Sequence, residues 1–322
     1  MEISIYKLQF NTPVHFGSGN LDDTEMTFRS DRLFSALLIE TLKRNGVDGL
    51  NEIVNLVKNN KLYISDAMPF YDNGDSIDYF VVKPFTNIDT VKDNEILTDE
   101  KTQNKKSLKK MKYLPISQIK NFLNGTFEDV ENVNEKLKKI GIKNYVTKVY
   151  IDKENNKPYE VASFTFSKNA GLYIVFMCET DEISSLIDEL LINVGLIGIG
   201  GERSSGYGKF NIKKVDERED IYTVYKEFVN SKSSKYMTIS SCLPNEDEIE
   251  KVLKNATYNL IRVGGFVDNS YSDINYIKKK SFYYISSGAC FEDTFEGSIY
   301  NVSFDSEKPI YRYAKPFLIS VG

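Results

Sequence analysis

Six of the sixteen residues from Gly195 to Phe210 are glycine, in a chain that has 19 glycines in all. The stretch reads Gly195-Leu-Ile-Gly-Ile-Gly-Gly-Glu-Arg-Ser-Ser-Gly-Tyr-Gly-Lys-Phe210. Such density constrains the fold, because glycine reaches φ > 0 cheaply and admits another group close to its backbone. Ile183, Leu186, Ile187, Leu190, Leu191 and Val194 recur at helical spacing before the loop, and Tyr207–Lys213 reads as a strand after it. The order is helix, loop, strand, whereas the P-loop and the dinucleotide fingerprint both run strand, loop, helix. The residues disagree too. Tyr207 stands where a P-loop spaced from Gly201 to Gly206 needs lysine, and Arg203 stands at the third glycine of a fingerprint begun by Gly198-Ile-Gly200. Two readings stay open: glycines that serve a tight connection alone, or a nest of N–H donors suited to an anion. Arg203 and Lys209 add charge, Ser204 and Ser205 hydroxyls, and Tyr207 a stacking face.

The surrounding pattern is strand 2–10, helix 30–45, short helix 51–58, strand 62–65, strands 145–152 and 159–167, strand 172–178, helix 182–194 and strand 207–213. Ser30 or Asp31 is placed to cap the long helix, Leu33, Leu37, Leu38, Thr41 and Leu42 line its face, and Gly46 is placed to stop it. Between about 84 and 145 the pattern weakens. Lys101, Lys105, Lys106, Lys109, Lys110 and Lys112 crowd together there, as a solvated mobile segment or as an arm that touches phosphates. Short helices are expected near 117–124 and 131–140. Without this insertion the order is strand, helix, strand, strand, helix, strand, that of a ferredoxin-like or RNA-recognition fold with helices on one sheet face and the other face free. Residues 215–234 are polar and read as a boundary. Beyond them, strands near 236–241, 257–263, 282–287 and 298–304 with one short helix begin the pattern again. The expected class is α+β, with two ferredoxin-like (RRM-like) domains: 1–230, carrying an irregular insertion at about 84–160 and the glycine loop between helix two and strand four, and 231–322, a smaller, degraded copy.

At 322 residues the chain has room for two domains. A net charge of −5 argues against a surface coated with non-specific nucleic-acid contacts, though a local basic surface remains possible. The cysteines, Cys178, Cys242 and Cys290, are far apart and form no C-x-x-C, so they read as buried reduced thiols. No metal site or cofactor is expected. The N-terminus lacks signal-peptide features and no apolar run reaches a membrane span, so a cytoplasmic protein is expected.

Three segments carry a family resemblance: Phe28-Arg-Ser-Asp-Arg-Leu-Phe-Ser-Ala-Leu37, Ile199–Phe210 and the terminal Tyr311-Arg-Tyr-Ala314. Together, and in this order, they resemble the RAMP superfamily of CRISPR proteins, and within it the subunit-four family of type III-A (Csm) RNA-guided effector complexes. The resemblance implies a subunit, not known as a catalyst, that grips the repeat-derived 5′ tag of the guide RNA. It also implies docking to a large subunit with polymerase-like and nuclease domains and to a RAMP backbone subunit. The RNA-binding residues expected are Arg29, Ser30, Arg32 and Ser35 at helix one, Gly198, Gly200, Gly201, Arg203, Ser204, Ser205, Gly206, Tyr207, Gly208 and Lys209 in the loop, and Arg262. The free N–H groups at the start of helix one suit a phosphate, and Tyr207 and Tyr271 are candidate stacking faces. The hairpin 145–160 or the lysine arm could supply the thumb that such subunits push into the guide. Two positions depart from the pattern. Glu202 opposes a phosphate and is expected to point away or pair with a basic neighbour, and Ala314 stands where glycine is expected.

Several relatives that cut precursor RNA use histidine as general base or acid, so a RAMP endoribonuclease is the alternative activity. His15 is the only histidine, without an obvious partner, and reads as structural. Asp22-Asp23 and the stretch Asp216–Asp220 read as surface or turn carboxylates.

Overall fold

The computed structural model describes residues 1–17, 19–85, 106–151, 156–267, 278–305 and 309–322. Its main body is an antiparallel sheet in the order β5-β4-β3-β8-β1-β9, with β2 also paired to β8. The strands are β1 (Glu2–Phe10), β2 (Leu62–Ile64), β3 (Met68–Asp72), β4 (Ile77–Val82), β5 (Tyr113–Pro115), β8 (Ala170–Cys178) and β9 (Phe210–Lys214). Helix α1 (Ser30–Lys58) breaks at Gly46, whose φ of 66° only glycine adopts without strain, so the two expected helices are two arms of one element. Short helices α2 (Ile119–Leu123) and α3 (Val130–Lys139) follow, then α4 (Asp181–Ile197).

β2 and β3 are one strand interrupted. Ile64 opposes Phe176 and Met68 opposes Tyr173, so three residues, 65–67, face two on β8. This is a β-bulge, which re-aims a side chain out of the ladder; here the side chain is Asp66. β3 and β4 were not expected from the sequence. Their turn holds Asn73-Gly74, with Gly74 at φ 97°, a local hairpin signal.

The second face of the sheet is covered, contrary to expectation. Residues 220–230, read as part of a polar linker, form helix α5 (Asp220–Asn230) with Ile221, Tyr222, Tyr225 and Phe228 buried. Tyr222 donates to the carbonyl of Ile3 at 2.6 Å, Tyr173 and Tyr225 join their hydroxyls at 3.0 Å, and Lys7 pairs with Glu219 at 3.7 Å. On the opposite face Tyr6 donates to Asp188 of α4, and Ser4 and Ser184 join hydroxyls.

The hairpin β6 (Gly141–Ile151) and β7 (Asn156–Phe166) pairs over eleven registers. Its far half is exposed on both strands, so it projects from the body. Past residue 230 the strands are short. β10 (Tyr236–Thr238), β13 (Cys290–Phe291) and β16 (Leu318–Ser320) form one sheet. β11 (Leu260–Val263) pairs β12 (Phe282–Ile285), β14 (Ile299–Asn301) pairs β15 (Tyr311–Tyr313), and α6 (Ile249–Leu253) is a single short helix. One apolar core runs through both parts, with Met237, Ile239, Tyr313, Phe317 and Ile319 packed in with the residues of β1 and α1. Cys178, Cys242 and Cys290 are free and buried, and no described helix is long and apolar enough to cross a membrane.

Candidate nucleic-acid interface

The glycine loop joins α4 to β9, and β9 begins at Phe210 rather than Tyr207. Most of its backbone N–H groups are bonded within the protein. Gly198 N–H donates to Val194 O, Ile199 to Gly208 O, Gly201 to His15 O, Gly208 to Pro13 O and Lys209 to the Thr12 hydroxyl. Ser205 and Tyr207 N–H donate to Glu202 O, and Gly206 to Arg203 O. Gly200 and Gly201 serve close packing. A Cβ on Gly201 would lie 2.6 Å from the His15 ring, and one on Gly200 2.7 Å from His15 O. What the loop offers outward is side chains on the turn Arg203–Ser205. Ser204, Ser205 and Lys209 are exposed, and Arg203 and Tyr207 are half-buried. Glu202, in the left-handed region at φ 58°, pairs with Lys148 of β6. The hydrogen bond to Glu202 holds the Lys148 ammonium above its usual pKa, and the same ammonium sits 5.9 Å over the Tyr207 ring. The projecting hairpin is thereby tied to the loop, and Glu202 has the basic neighbour expected.

Helix α1 starts at the other side of the loop 13–17. Arg29 is its N-cap residue and no side chain of its own first turn caps it. The Ser30 N–H is not free, because it donates to Asp66 Oδ1 at 2.8 Å. Asp66, delivered by the bulge, also accepts from the Ser241 N–H at 3.0 Å and the Ser241 hydroxyl at 2.8 Å. An internal carboxylate therefore occupies the helix N-terminus where a phosphate was expected. Burial raises the Asp66 pKa, against the lowering effect of these bonds. Arg29 pairs with Asp31 at 3.1 Å. Arg32 donates to Gly17 O at 2.9 Å and lies 5.7 Å over the Phe16 ring. Burial first, and then Arg29, push the Arg32 guanidinium down to about 10. Ser30 is fully buried, so its hydroxyl is closed to a ligand, and Ser35 is half-buried.

Arg29 and Arg32 line a cleft of about 740 Å³ together with Phe16, Gly17, Lys83 and Tyr113. Lys109, Lys110 and Lys112 from the lysine-rich segment reach it as well. That end of the segment is anchored rather than loose: Lys83 Nζ donates to Leu108 O at 2.6 Å and Met111 is buried. Lys101, Lys105 and Tyr271 lie outside the described residues. The loop 13–17 connects the two expected clusters, since His15 O receives Gly201 and Gly17 O receives Arg32. Arg262 is exposed on β11, but its neighbour Ile261 is the residue that faces the cleft. Sequence reasoning missed Lys83, Asn259 and Ser286 on the cleft wall, and Lys148, because none sits in a motif.

The terminal Tyr311-Arg-Tyr motif is internal. Arg312 donates to Val263 O at 2.9 Å and Gly264 O at 3.1 Å and lies 3.8 Å from Asp31, while Tyr313 OH accepts the Ile64 N–H at 2.9 Å. Ala314 is not at positive φ, so its place needs no glycine. His15 is buried and its Nδ1 lies 2.7 Å from Ala162 O.

The RAMP superfamily model matches residues 7–211, and the CRISPR Csm4 C-terminal domain model matches residues 231–321. A CRISPR system Cms protein Csm4 of Mycobacterium tuberculosis is 31% identical over 324 residues, covering 100% of this chain and 98% of the relative. The chain belongs to the Csm4 family of the RAMP superfamily. The Csm4 of Streptococcus thermophilus is 30% identical, covering 100% of this chain and 99% of its own length. Among solved structures, the chain resembles one in a Csm3-Csm4 subcomplex of the type III-A CRISPR-Cas interference complex, with TM-score 0.65 at 18% identity and 100% coverage of both chains. A chain of a Csm1-Csm4 cassette in complex with pppApA matches with TM-score 0.65 at 17% identity, covering 99% of this chain and 98% of that one. At these identities the structural likeness carries the fold.

Proposed function

We propose that this Csm4-family chain is a non-catalytic subunit of a type III-A CRISPR interference complex, that it holds the 5′ repeat-derived tag of the guide RNA, and that it anchors the large polymerase-like and nuclease subunit and the RAMP backbone subunit. The observation that carries the RNA reading is one surface. The outward side chains of Arg203–Lys209, the loop 13–17 and the Arg29–Arg32 cleft are joined through His15 and Gly17. With most of the loop's N–H groups bonded internally, Arg203, Ser204, Ser205, Tyr207 and Lys209 act chiefly through side chains, positioning phosphates without reading sequence. The partner reading is supported by relatives named as Csm4 and by structural neighbours solved together with Csm3 or Csm1. The strand order β9-β1-β8-β3, with α1 and α4 as the connecting helices, supports a ferredoxin-like first domain through residue 230. The family match over residues 231–321 supports a second unit there.

The test is ultraviolet crosslinking of guide RNA in the assembled complex, read by mass spectrometry, with Arg203→Ala and Lys209→Ala variants alongside. Crosslinks at Arg203–Lys209 with reduced guide occupancy in the variants support the reading; unchanged occupancy and assembly refute it. Incubation of the chain with repeat RNA, with His15→Ala as control, tests the endoribonuclease alternative. His15, enclosed by Gly17 and Gly201, offers that alternative no open base.

A further inference from the structure

Strand β11 has two sides. Asn259 and Ile261 line the cleft beside α1, so Leu260 and Arg262, at the alternate positions, face away from it. Leu260 is 57% exposed, and Arg262, also exposed, stands directly opposite Tyr283 of β12, which is 62% exposed. Ile285, opposite Leu260, is buried in one cluster with Val252 of α6, so the face is covered at that end and open at Arg262 and Tyr283. Past the strand ends the same chemistry continues. Phe266 bridges to Lys278, the Lys280 N–H donates to Val302 O at 2.8 Å, and the Lys280 ammonium lies 5.7 Å over the exposed Phe304 ring. The solvent side of an antiparallel pair is ordinarily polar; this one is aromatic and cationic. Among the described residues Arg262, Lys278 and Lys280 have no carboxylate within ion-pair distance, in a chain whose net charge is −5. Local positive charge against a negative total selects an anionic ligand, and exposed rings beside it mark an interaction site.

We propose that the outward face of β11–β12 is a second RNA platform. It takes an unpaired stretch other than the one at the glycine loop and cleft, with a base stacked on Tyr283 and its phosphate at Arg262. The proposal rests on the RNA reading above and adds a separate contact surface on the C-terminal part of the chain. Directly opposed residues on neighbouring strands lie about 4.5–5.5 Å apart, so the Tyr283 ring and the Arg262 guanidinium serve adjacent parts of one nucleotide. β11 stands between the platform and the cleft, so one nucleotide does not occupy both. Single-stranded RNA joins an anionic backbone to flat apolar bases, the two features this face matches. Every base has a π-face, so the platform takes RNA without reading its sequence.

The test is fluorescence anisotropy with a labelled oligouridylate and the full chain, preloaded with one equivalent of unlabelled 5′ tag RNA. Preloaded wild type is expected to bind the labelled RNA. Tyr283→Ala is expected to weaken that binding about tenfold, Tyr283→Phe to bind as wild type, and Arg262→Ala to lower the slope of log affinity against log salt by about one. Exclusion of the labelled RNA by the preload, or unchanged binding in Tyr283→Ala and Arg262→Ala, overturns the platform and leaves the RNA reading standing. Variants that keep their RNA affinity but no longer join the complex also overturn it, and make the face a protein contact. Failure of wild type to bind any RNA, tag included, overturns the RNA reading and the platform together.

Discussion

Asp66 joins three parts of the molecule, and its replacement by alanine has a cost that the hydrogen bonds set. The carboxylate serves the Ser30 N–H at the start of α1 and the Ser241 N–H and hydroxyl beyond β10. The hydroxyl can rotate toward another acceptor; the two backbone donors cannot. Each buried donor left without an acceptor costs about 1–3 kcal/mol, so Asp66→Ala is expected to lose about 2–6 kcal/mol. Against a total stability of about 5–15 kcal/mol this is a large fraction, and it corresponds to a fall in melting temperature of at least roughly 4 °C. Asp66→Asn keeps an amide oxygen for both backbone donors and is expected to cost much less.

The two variants also separate charge from geometry. Burial raises the folded-state pKa of Asp66, so the folded chain keeps this proton to higher pH than the unfolded chain does. The folded state binds more protons in that window. The contribution of Asp66 is therefore greatest below its unfolded pKa of about 3.9, falls as pH rises to the folded value, and is level above it. The Asn variant has no such titration, so its deficit relative to wild type should shrink as pH rises above about 4. Thermal unfolding followed by circular dichroism at several pH values measures both. A melting temperature for Asp66→Ala within the error of wild type refutes Asp66 as the shared acceptor of the two backbone donors, and a wild-type-to-Asn gap that is constant with pH refutes the upward shift of its pKa.

Gly201→Ala places a Cβ 2.6 Å from the His15 ring, so it should lower the melting temperature, whereas Gly206→Asn, at φ 86° with open space around its Cβ, should be tolerated better; parallel thermal melts compare them. Tyr313→Phe removes the acceptor of the Ile64 N–H and should cost about 1–3 kcal/mol in urea unfolding. Glu202→Gln breaks the tie to Lys148 and should speed amide exchange across the outer half of β6–β7 without shifting protection in β8. Burial pushes the Cys178 thiol up to about 12 and the Cys290 thiol to about 11, so neither should be alkylated in the native chain at neutral pH; mass spectrometry before and after unfolding reads this.

What the sequence disclosed divides along a physical line. Strand β1, helix α1 and helix α4 carry their pattern within their own residues, and they stand where the spacing places them. Helix α5 carries such a pattern too, with Ile221, Tyr222, Tyr225 and Phe228 on one face, but the charged residues before it and the Ser-Lys run after it hid the stripe. The consequence is large, because α5 covers the sheet face expected to be free. Asp66 was illegible for a different reason. Its role depends on a bulge that brings a carboxylate from one strand to a helix start 36 residues earlier and to Ser241, 175 residues later. The glycine loop shows both limits together. Its density of glycine was plain in the sequence, yet a glycine required for an anion and one required for a neighbouring histidine ring look alike until the neighbour is known. Here Gly201 N–H points to His15 O and its missing Cβ makes room for that ring, which shifts the burden of any phosphate contact from the loop's backbone to Arg203, Ser204, Ser205 and Lys209. Substitution of those side chains, rather than of the glycines, is therefore the perturbation that separates RNA binding from folding.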